Sequence, residues 1–582
     1  MRLCMIHAPD PVYATDQTYG AHFPPLWSYT LSAHIPRDGR FPISLFDNRF
    51  DDAGRIREAE LFLYSGINQD CAILTQICRT LRGRYPNARH VIGGPICSSF
   101  DAAGRLNLLD AWDHICVGDG EEMIGELLET LYAERDLPRV IRAVHRFDLM
   151  DAKVFDTELA DTSLARYYGA VVEVSRGCPF LCEFCDIRTL PDNNRTHIKP
   201  VETIVAEMDY LSRRGVTQIV LACDNFIGDL PHAEAVLDGI IEWSERTGFR
   251  PGLYSWMTIN LYKLPRLMEK MRRAGFDMLF IGVESFERNS LLETAKVQNV
   301  TAGLVEPLRV IQSYGFVVIA GLIFGFDSDS AGSFDRTLEG MEESALISGD
   351  LNLLVALPGT PLYRRMKLSG RLRDVDYTLG GFKFQTNMRY LVPTDEIIRG
   401  YQHFVHEFIR GDYQYRRFRA FFDLLESDHF IPLRRAGGFG SAYSYAKALL
   451  ADRHAAMRMA VRLGRFLLRP GLMWHALRGL ALVARRRHIE GGLHYFQFWF
   501  FAWTNALVKY SGVTDKDFDI ESVAADFAIG DILPDNYAAT ADEPIPRAKI
   551  EAQLRETQAQ LARVIQMRRV DSEQPAQEPV LN

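Results

Sequence analysis

Three cysteines crowd into eight residues of the segment VVEVSRGCPFLCEFCDI: Cys178, Cys182 and Cys185. Their CxxxCxxC spacing lets three thiolates wrap one corner of a cubane and ligate three of the four irons of a [4Fe–4S] cluster. The fourth iron is left without a protein ligand, and the amine and carboxylate of a small molecule could chelate there. A zinc knot is the competing reading, with His197 or Cys223 as fourth ligand. Zinc sites usually pair cysteines as CxxC in two separated halves, which this segment does not. On that reading the chain is a zinc-stabilised, membrane-associated binding protein and not an enzyme.

The other six cysteines, at 4, 71, 78, 97, 116 and 223, stand singly on apolar segments, as buried free cysteines do. A secreted disulfide framework would spread its pairs along the chain, and an odd count of nine leaves one over. With 47% hydrophobic and 24% charged residues, the 582-residue chain reads as an ordinary globular protein of several domains. A net charge of −9 argues against general nucleic-acid binding. The start, MRLCMIHAPDPVY, has no secretory pattern, and no run reaches the roughly 18–20 apolar residues of a spanning helix. The expectation is a cytoplasmic protein.

The elements that must position the cysteines follow from periodicity. In residues 1–135, ELFLYSG (60–66), ARHVIGGP (88–95) and WDHICVGDG (112–120) each read as a buried strand ending in a turn, with helical patterns between. That alternation predicts a doubly wound parallel sheet, whose ligands sit beyond the carboxyl ends of the strands. Residues 136–168 read as a linker. Residues 169–385 then hold six strand candidates, at 170–175, 217–223, 251–257, 277–283, 316–325 and 351–357, separated by helices. Six βα units in one run predict a partial (β/α)6 barrel with its chemistry in the loops after the strands. Residues 386–535 read as a helical region, 543–570 as a last helix with Ile550, Leu554, Leu561 and Ile565 near one face, and 571–582 as a disordered tail. The fold class is thus α/β with a helical C-terminal region.

CxxxCxxC after the first of six βα units resembles the radical-SAM superfamily. The resemblance implies that the open iron binds S-adenosylmethionine and that one electron then yields a 5′-deoxyadenosyl radical. It implies SAM contacts from Phe184, Asp224 and Asn225 (in LACDNFIGD), Glu284 and Ser285 (in FIGVESFE), and Gly321, Ile323 and Gly325 (in AGLIFGFDSD). Two positions depart from the family: Cys223 where an acid is common, and Ser328 where the GxIxGxxE motif has its glutamate. A doubly wound domain ahead of the barrel resembles the cobalamin-binding class, the group that includes hopanoid-type methylases. Ser65, Gly66, Gly93, Gly94, Gly118 and Gly120 then fall where a corrin would be met, although no histidine carries the DxHxxG signature.

The resemblance therefore implies three cofactors: a [4Fe–4S] cluster, SAM and cobalamin. It implies methyl transfer to an unactivated carbon of a small hydrophobic substrate, lipid or isoprenoid, with electrons from a reductase, flavodoxin or ferredoxin. The alternative within the family is a cobalamin-free enzyme of cyclisation or rearrangement with an empty N-terminal sheet. Residues 453–489 contain nine arginines and no acid. Arg458, Arg462, Arg465 and Arg469 form one helical stripe beside Met459, Leu463 and Phe466, and LHYFQFWFFAW (493–503) is strongly aromatic. Such a basic, apolar face suits peripheral contact with the inner face of a membrane. A helical cap with solvated arginines gives the same pattern.

Overall fold

The computed structural model describes residues 1–10, 22–190, 192–294, 296–300, 303–375, 384–433, 457, 460–461, 463–464, 466–510 and 512–524. The terminal-helix and tail segments, 543–570 and 571–582, and positions 458, 459, 462 and 465 lie outside the described residues.

The first six strands are β1 (Leu3–His7), β2 (Ile43–Asp47), β3 (Leu61–Ser65), β4 (Arg89–Gly93), β5 (His114–Val117) and β6 (Val140–Arg142). They form one parallel sheet in the order β2-β1-β3-β4-β5-β6. Helices α1 (Leu26–Ser32), α2 (Cys71–Arg84), α3 (Pro95–Ala102) and α4 (Gly120–Tyr132) make the crossovers. Because side chains alternate along a strand, one sheet serves two cores. Leu3, Met5, Leu61 and Leu63 pack in the core shared with the barrel. Cys4, Ile6, Phe62 and Tyr64 face a second core with Cys71, Cys78 and Cys97. The isolated cysteines of this domain are thus buried packing residues.

After α5 (Thr157–Ser163), a second parallel sheet runs β7 (Ala170–Glu173), β10 (Gln218–Ala222), β11 (Gly252–Met257), β12 (Phe276–Glu284), β13 (Val317–Phe324) and β14 (Ser348–Leu353), paired in chain order. A small antiparallel pair, β8 (Ser175–Arg176) with β9 (His197–Ile198), follows β7. Helices α6 (Val201–Arg213), α7 (Leu230–Thr247), α8 (Pro265–Ala274), α9 (Arg288–Glu293), α10 (Val305–Ser313) and α11 (Ser333–Glu343) alternate with the large strands. β7 and β14 are the sheet's two edges, so the barrel is open on one side. β14 begins earlier than the expected 351 and stops at Leu353. Beyond it the Asn387 side chain takes the place of a strand partner, accepting from the Ala356 amide (2.9 Å) and donating to its carbonyl (2.7 Å).

The remainder comprises α12 (Pro361–Leu368), α13 (Thr394–Phe408), α14 (Gly411–Leu424), α15 (Pro470–Arg485) and α16 (Gly492–Tyr510). Two strands also occur here, β15 (Gln385–Tyr390) and β16 (Asp519–Ser522), paired in parallel. Tyr495, Trp499 and Trp503 are buried with Phe418, Phe421 and Phe422 under Val317 and Ile347, at the starts of β13 and β14. Phe418 stacks on Trp499 with ring centroids 4.3 Å apart. The aromatic run 493–503 is therefore largely core, because positions 495, 499 and 503 recur every four residues on one helix face. No helix among the described residues is long and apolar enough to cross a membrane.

The stretch expected as a linker contains β6 and α5, and one buried ion pair ties the segment just before α5 to the barrel. Lys199 Nζ donates to Glu207 Oε1 at 2.6 Å, and the same oxygen accepts the Phe155 amide at 2.9 Å. Both charged side chains are 1% exposed. Removing one partner strands the other charge. Lys199→Met is expected to lower stability by about 3–5 kcal/mol, measured by chemical unfolding. Adding Glu207→Leu should recover most of the loss; a loss under about 1 kcal/mol in the single variant contradicts the assignment.

Candidate active site

The cysteine loop hangs from the β8–β9 pair at the carboxyl end of β7. Gly177 opens it with φ of +91°, and a Cβ there would run into the Arg195 carbonyl. The Gly177 amide donates to Asp224 Oδ2 at 2.6 Å, and the Cys178 amide to the Asn193 carbonyl at 3.0 Å. The Cys185 amide closes on the Cys182 carbonyl (3.2 Å). Between those cysteines, the Glu183 amide donates to Thr294 O (2.9 Å), and Glu183 O accepts from the Leu362 amide (3.2 Å). The Glu183 carboxylate is gripped at both oxygens by Arg365 of α12 (2.7 and 2.8 Å). Arg365 also pairs with Asp327, which Arg371 holds at 2.7 and 3.0 Å. The loop is thereby clamped to the segment after the barrel.

Cys182 is buried, and Cys178 and Cys185 are partly so. Burial pushes the Cys178 thiol up to about 12 and raises Cys185 well above the usual value, with the Cys182 thiol adding to both shifts. Beside them is a cation that periodicity did not reveal. Lys296 Nζ pairs with Glu284 at 2.7 Å, each side chain 9% exposed, and lies 5.9 Å from the Phe184 ring centre. Burial opposes its charge, but Glu284 and the Cys182 thiol hold its pKa above the ordinary lysine value.

Among the described residues, no three His, Cys, Asp or Glu side chains are gathered as one metal ion requires. A cubane asks for something else, three thiolates on three separate irons. An all-sulfur donor set on a single clamped loop fits that requirement. The two candidate fourth zinc ligands are engaged elsewhere: His197 Nε2 lies 2.8 Å from the Asp192 carbonyl, and Cys223 Sγ lies 3.2 Å from Ser255 Oγ.

The remaining expected positions separate into two groups. Phe184, Glu284, Gly321 and Ile323 line a channel of about 470 Å³ inside the barrel, together with Tyr254, Trp256 and Phe280. A Cβ on Gly321 would come within 2.8 Å of the Phe280 ring, so glycine keeps that wall open. Asn225 is 1% exposed and neither side-chain polar atom has a partner, as suits a group awaiting a ligand. Asp224, Ser285 and Gly325 do not line this channel, and each secures its own loop. Asp224 holds Gly177, and Ser285 Oγ accepts from the Glu287 amide at 3.0 Å. Gly325 turns the chain at φ +118° under Tyr390. The loop containing Ser328 is instead secured by Glu293, which accepts the Asp327 and Ser328 amides, both at 2.8 Å. Glu284 itself has φ of +64° at a register break in β12, an expensive backbone state for a non-glycine residue and a common mark of functional sites.

A second cavity, of about 590 Å³, lies at the carboxyl ends of β3 to β6. Ser65, Gly93, Gly94, Gly118 and Gly120 line it; Gly66 does not, and its missing Cβ makes room for Leu74 and Asp70. The opposite wall comes from the barrel: Glu173, Arg176, Ile187, Leu190, Asn193 and Asp224. His145 and Arg146, from the stretch read as linker, also line it. Gly94 has φ of +84° and Gly118 of +110°; a Cβ on Gly118 would sit 2.7 Å from Ala143. Arg176 crosses the cavity wall. It donates to Glu173 of β7 (2.7 Å) and Glu121 of α4 (2.6 Å), and lies 3.6 Å from Asp119. One guanidinium thus joins the two sheets two residues before Cys178.

Residues 172–340 match the model of the Radical SAM superfamily. The chain carries a radical-SAM domain. Residues 360–509 match a domain of unknown function, DUF4070. The chain is 29% identical over 382 residues to the hopanoid C-2 methylase of Rhodopseudomonas palustris (strain TIE-1), covering 65% of this chain and 69% of that one. It is 28% identical over 376 residues to an uncharacterized methyltransferase of Synechocystis sp., covering 64% and 67%. Its fold is that of the radical SAM methyltransferase TsrM from Kitasatospora setae, solved with cobalamin and [4Fe-4S] cluster bound (TM-score 0.54, 15% identity, 79% of this chain and 100% of that one). The cobalamin-dependent radical enzyme OxsB, solved with aqua-cobalamin and S-adenosylmethionine, shares it too (TM-score 0.55, 14% identity, 93% and 84%). The radical-SAM domain makes the chain an enzyme with a fold seen in cobalamin-dependent members.

Because Arg176 neutralises carboxylates from both sheets, Arg176→Met should leave Glu121 and Glu173 facing each other uncompensated. The expected result is a stability loss of about 3 kcal/mol or more and faster proteolysis within 136–168. Arg176→Lys should rescue poorly, since an ammonium lacks the planar fork that reaches several acceptors. Wild-type proteolysis rates in Arg176→Met would argue against the interlock.

Proposed function

We propose that the protein is a cobalamin-dependent radical-SAM methyltransferase that acts on an unactivated carbon of a hydrophobic molecule, a lipid or isoprenoid. The observation that carries this reading is the 590 Å³ cavity, walled by glycine turns of one domain and by the cysteine-loop region of the other. A flat, bulky ligand needs such close backbone approach. The hopanoid methylase relationship supports the lipid or isoprenoid class.

Cys178, Cys182 and Cys185 would hold the cluster, and Ser65, Gly93, Gly94, Gly118 and Gly120 would floor the corrin. When bound, the cluster with SAM supplies a carbon-centred radical and the corrin supplies a methyl group. The chain's own part is positioning and exclusion. Lys296, paired with Glu284, holds a fixed positive charge beside the cysteine loop, Asn225 offers an unpartnered amide for an amine or hydroxyl, and Phe184 an apolar surface for a flat ring. Tyr254, Trp256 and Phe280 line the channel with aromatic surface, which keeps water from a reactive intermediate. Glu284 is bound to Lys296 and is not a free base. The enzyme would take its electron from a reductase, flavodoxin or ferredoxin, work in the cytoplasm, and meet the inner membrane face peripherally to reach a lipid.

The test is anaerobic reconstitution of the full chain with iron, sulfide and cobalamin. A corrin absorption spectrum should survive gel filtration, and methyl-labelled SAM should label a lipid fraction. Loss of all corrin on filtration would sink the methyltransferase reading and favour a cobalamin-free radical enzyme. Cys182→Ala should lose its iron while remaining folded by circular dichroism, whereas Cys78→Ala should keep it. Zinc without iron or sulfide in the wild type would support the binding-protein alternative.

A further inference from the structure

Of the exposed large hydrophobic side chains among the described residues, nine of 14 lie between Met457 and Leu493. They concentrate on and around α15. That helix buries Ala476, Gly479, Leu482 and Val483 on one face, where Gly479 lets the Trp499 ring of α16 approach. Its opposite face carries Trp474 (62% exposed), Leu477 (53%) and Leu480 (41%), continued by Leu468 (82%) just before the helix. A helix apolar on both sides has packed only one of them. Trp474 is the one exposed tryptophan of the chain's seven.

Charge indicates what covers the other side. The segment 453–489 holds nine arginines and no acid in a chain of net charge −9. Arg469, Arg485 and Arg487 are exposed at the two ends of the apolar face. In a symmetric pair of copies this face would meet itself, arginine against arginine, whereas an anionic bilayer offers both acyl chains for the leucines and negative headgroups for the arginines. The indole of Trp474 suits the boundary between them.

We infer that the outer face of α15, centred on Trp474, Leu477 and Leu480 and flanked by Arg469, Arg485 and Arg487, is the seat by which this protein lies on an anionic lipid surface. This deepens the lipid-substrate reading and names the partner surface. The adjoining helix α16 lines the barrel channel through Trp503, Asn505, Ala506 and Lys509. The same helix pair therefore carries the membrane seat on one side and the substrate wall on the other.

The experiment is co-sedimentation of the full-length protein with vesicles of phosphatidylcholine alone or mixed with phosphatidylglycerol, at two salt concentrations. Binding is expected with the anionic vesicles, at least about 10-fold tighter than with phosphatidylcholine and weakened by salt. Tryptophan emission should shift to the blue on binding. Trp474→Gln with Leu477→Gln should abolish both the shift and the sedimentation, and Arg485→Gln with Arg487→Gln should weaken binding about 10-fold. These exposed substitutions should leave SAM cleavage unchanged, so a failure here is distinct from a failure of the proposed activity. Absent or charge-independent vesicle binding overturns the inference. So does a concentration-dependent dimer that the Trp474→Gln/Leu477→Gln variant abolishes, which would identify a second copy as the occupant.

Discussion

The structure depends on one guanidinium. Arg176 meets Glu173 at the end of β7 and Glu121 at the start of α4, with Asp119 nearby, so the reactive edges of two independent sheets face one cavity. Paired charges in such a half-buried place stabilise little compared with an apolar contact, but they resist being broken singly. They therefore fix a geometry more than they add stability. The segment that supplies the arginine continues directly into the cysteine loop, which couples the join between domains to the position of the thiols.

A second set of ionic contacts holds the loop from the other side. Glu183, between two of the cysteines, is fixed by Arg365 from a helix about 180 residues later, and Arg365 shares Asp327 with Arg371. The barrel is open between β7 and β14, and α16 packs along β14, where Tyr510 donates to Asp350 at 2.6 Å and Lys509 pairs with the same carboxylate. The region matched to DUF4070 therefore both clamps the cysteine loop and walls the channel. The catalytic barrel is incomplete without it.

What the sequence revealed follows the range of the interactions. The cysteine spacing, the glycine turns and the six βα units are local patterns, and the structure has them at or near the expected positions. Lys296, Arg176 and Arg365 left no local signature, since each acts through a partner that only the fold brings near. Asp224 and Ser285, named by resemblance, also secure their own loops, through the Gly177 and Glu287 amides, which residue type alone did not reveal. The aromatic run of α16 looked interfacial by composition; its spacing of four residues marked Tyr495, Trp499 and Trp503 as a buried stripe. The outward face instead belongs to α15, whose inner and outer stripes have similar hydropathy and cannot be told apart without the packing.

A cluster with one open iron on the clamped loop of three thiols would cleave SAM when reduced. The direct measurement is 5′-deoxyadenosine, quantified by mass spectrometry after dithionite is added to the anaerobically reconstituted wild-type protein with SAM. Reductant-dependent formation of 5′-deoxyadenosine is the expected result. A protein with full iron and sulfide content that leaves SAM intact under those conditions would contradict it.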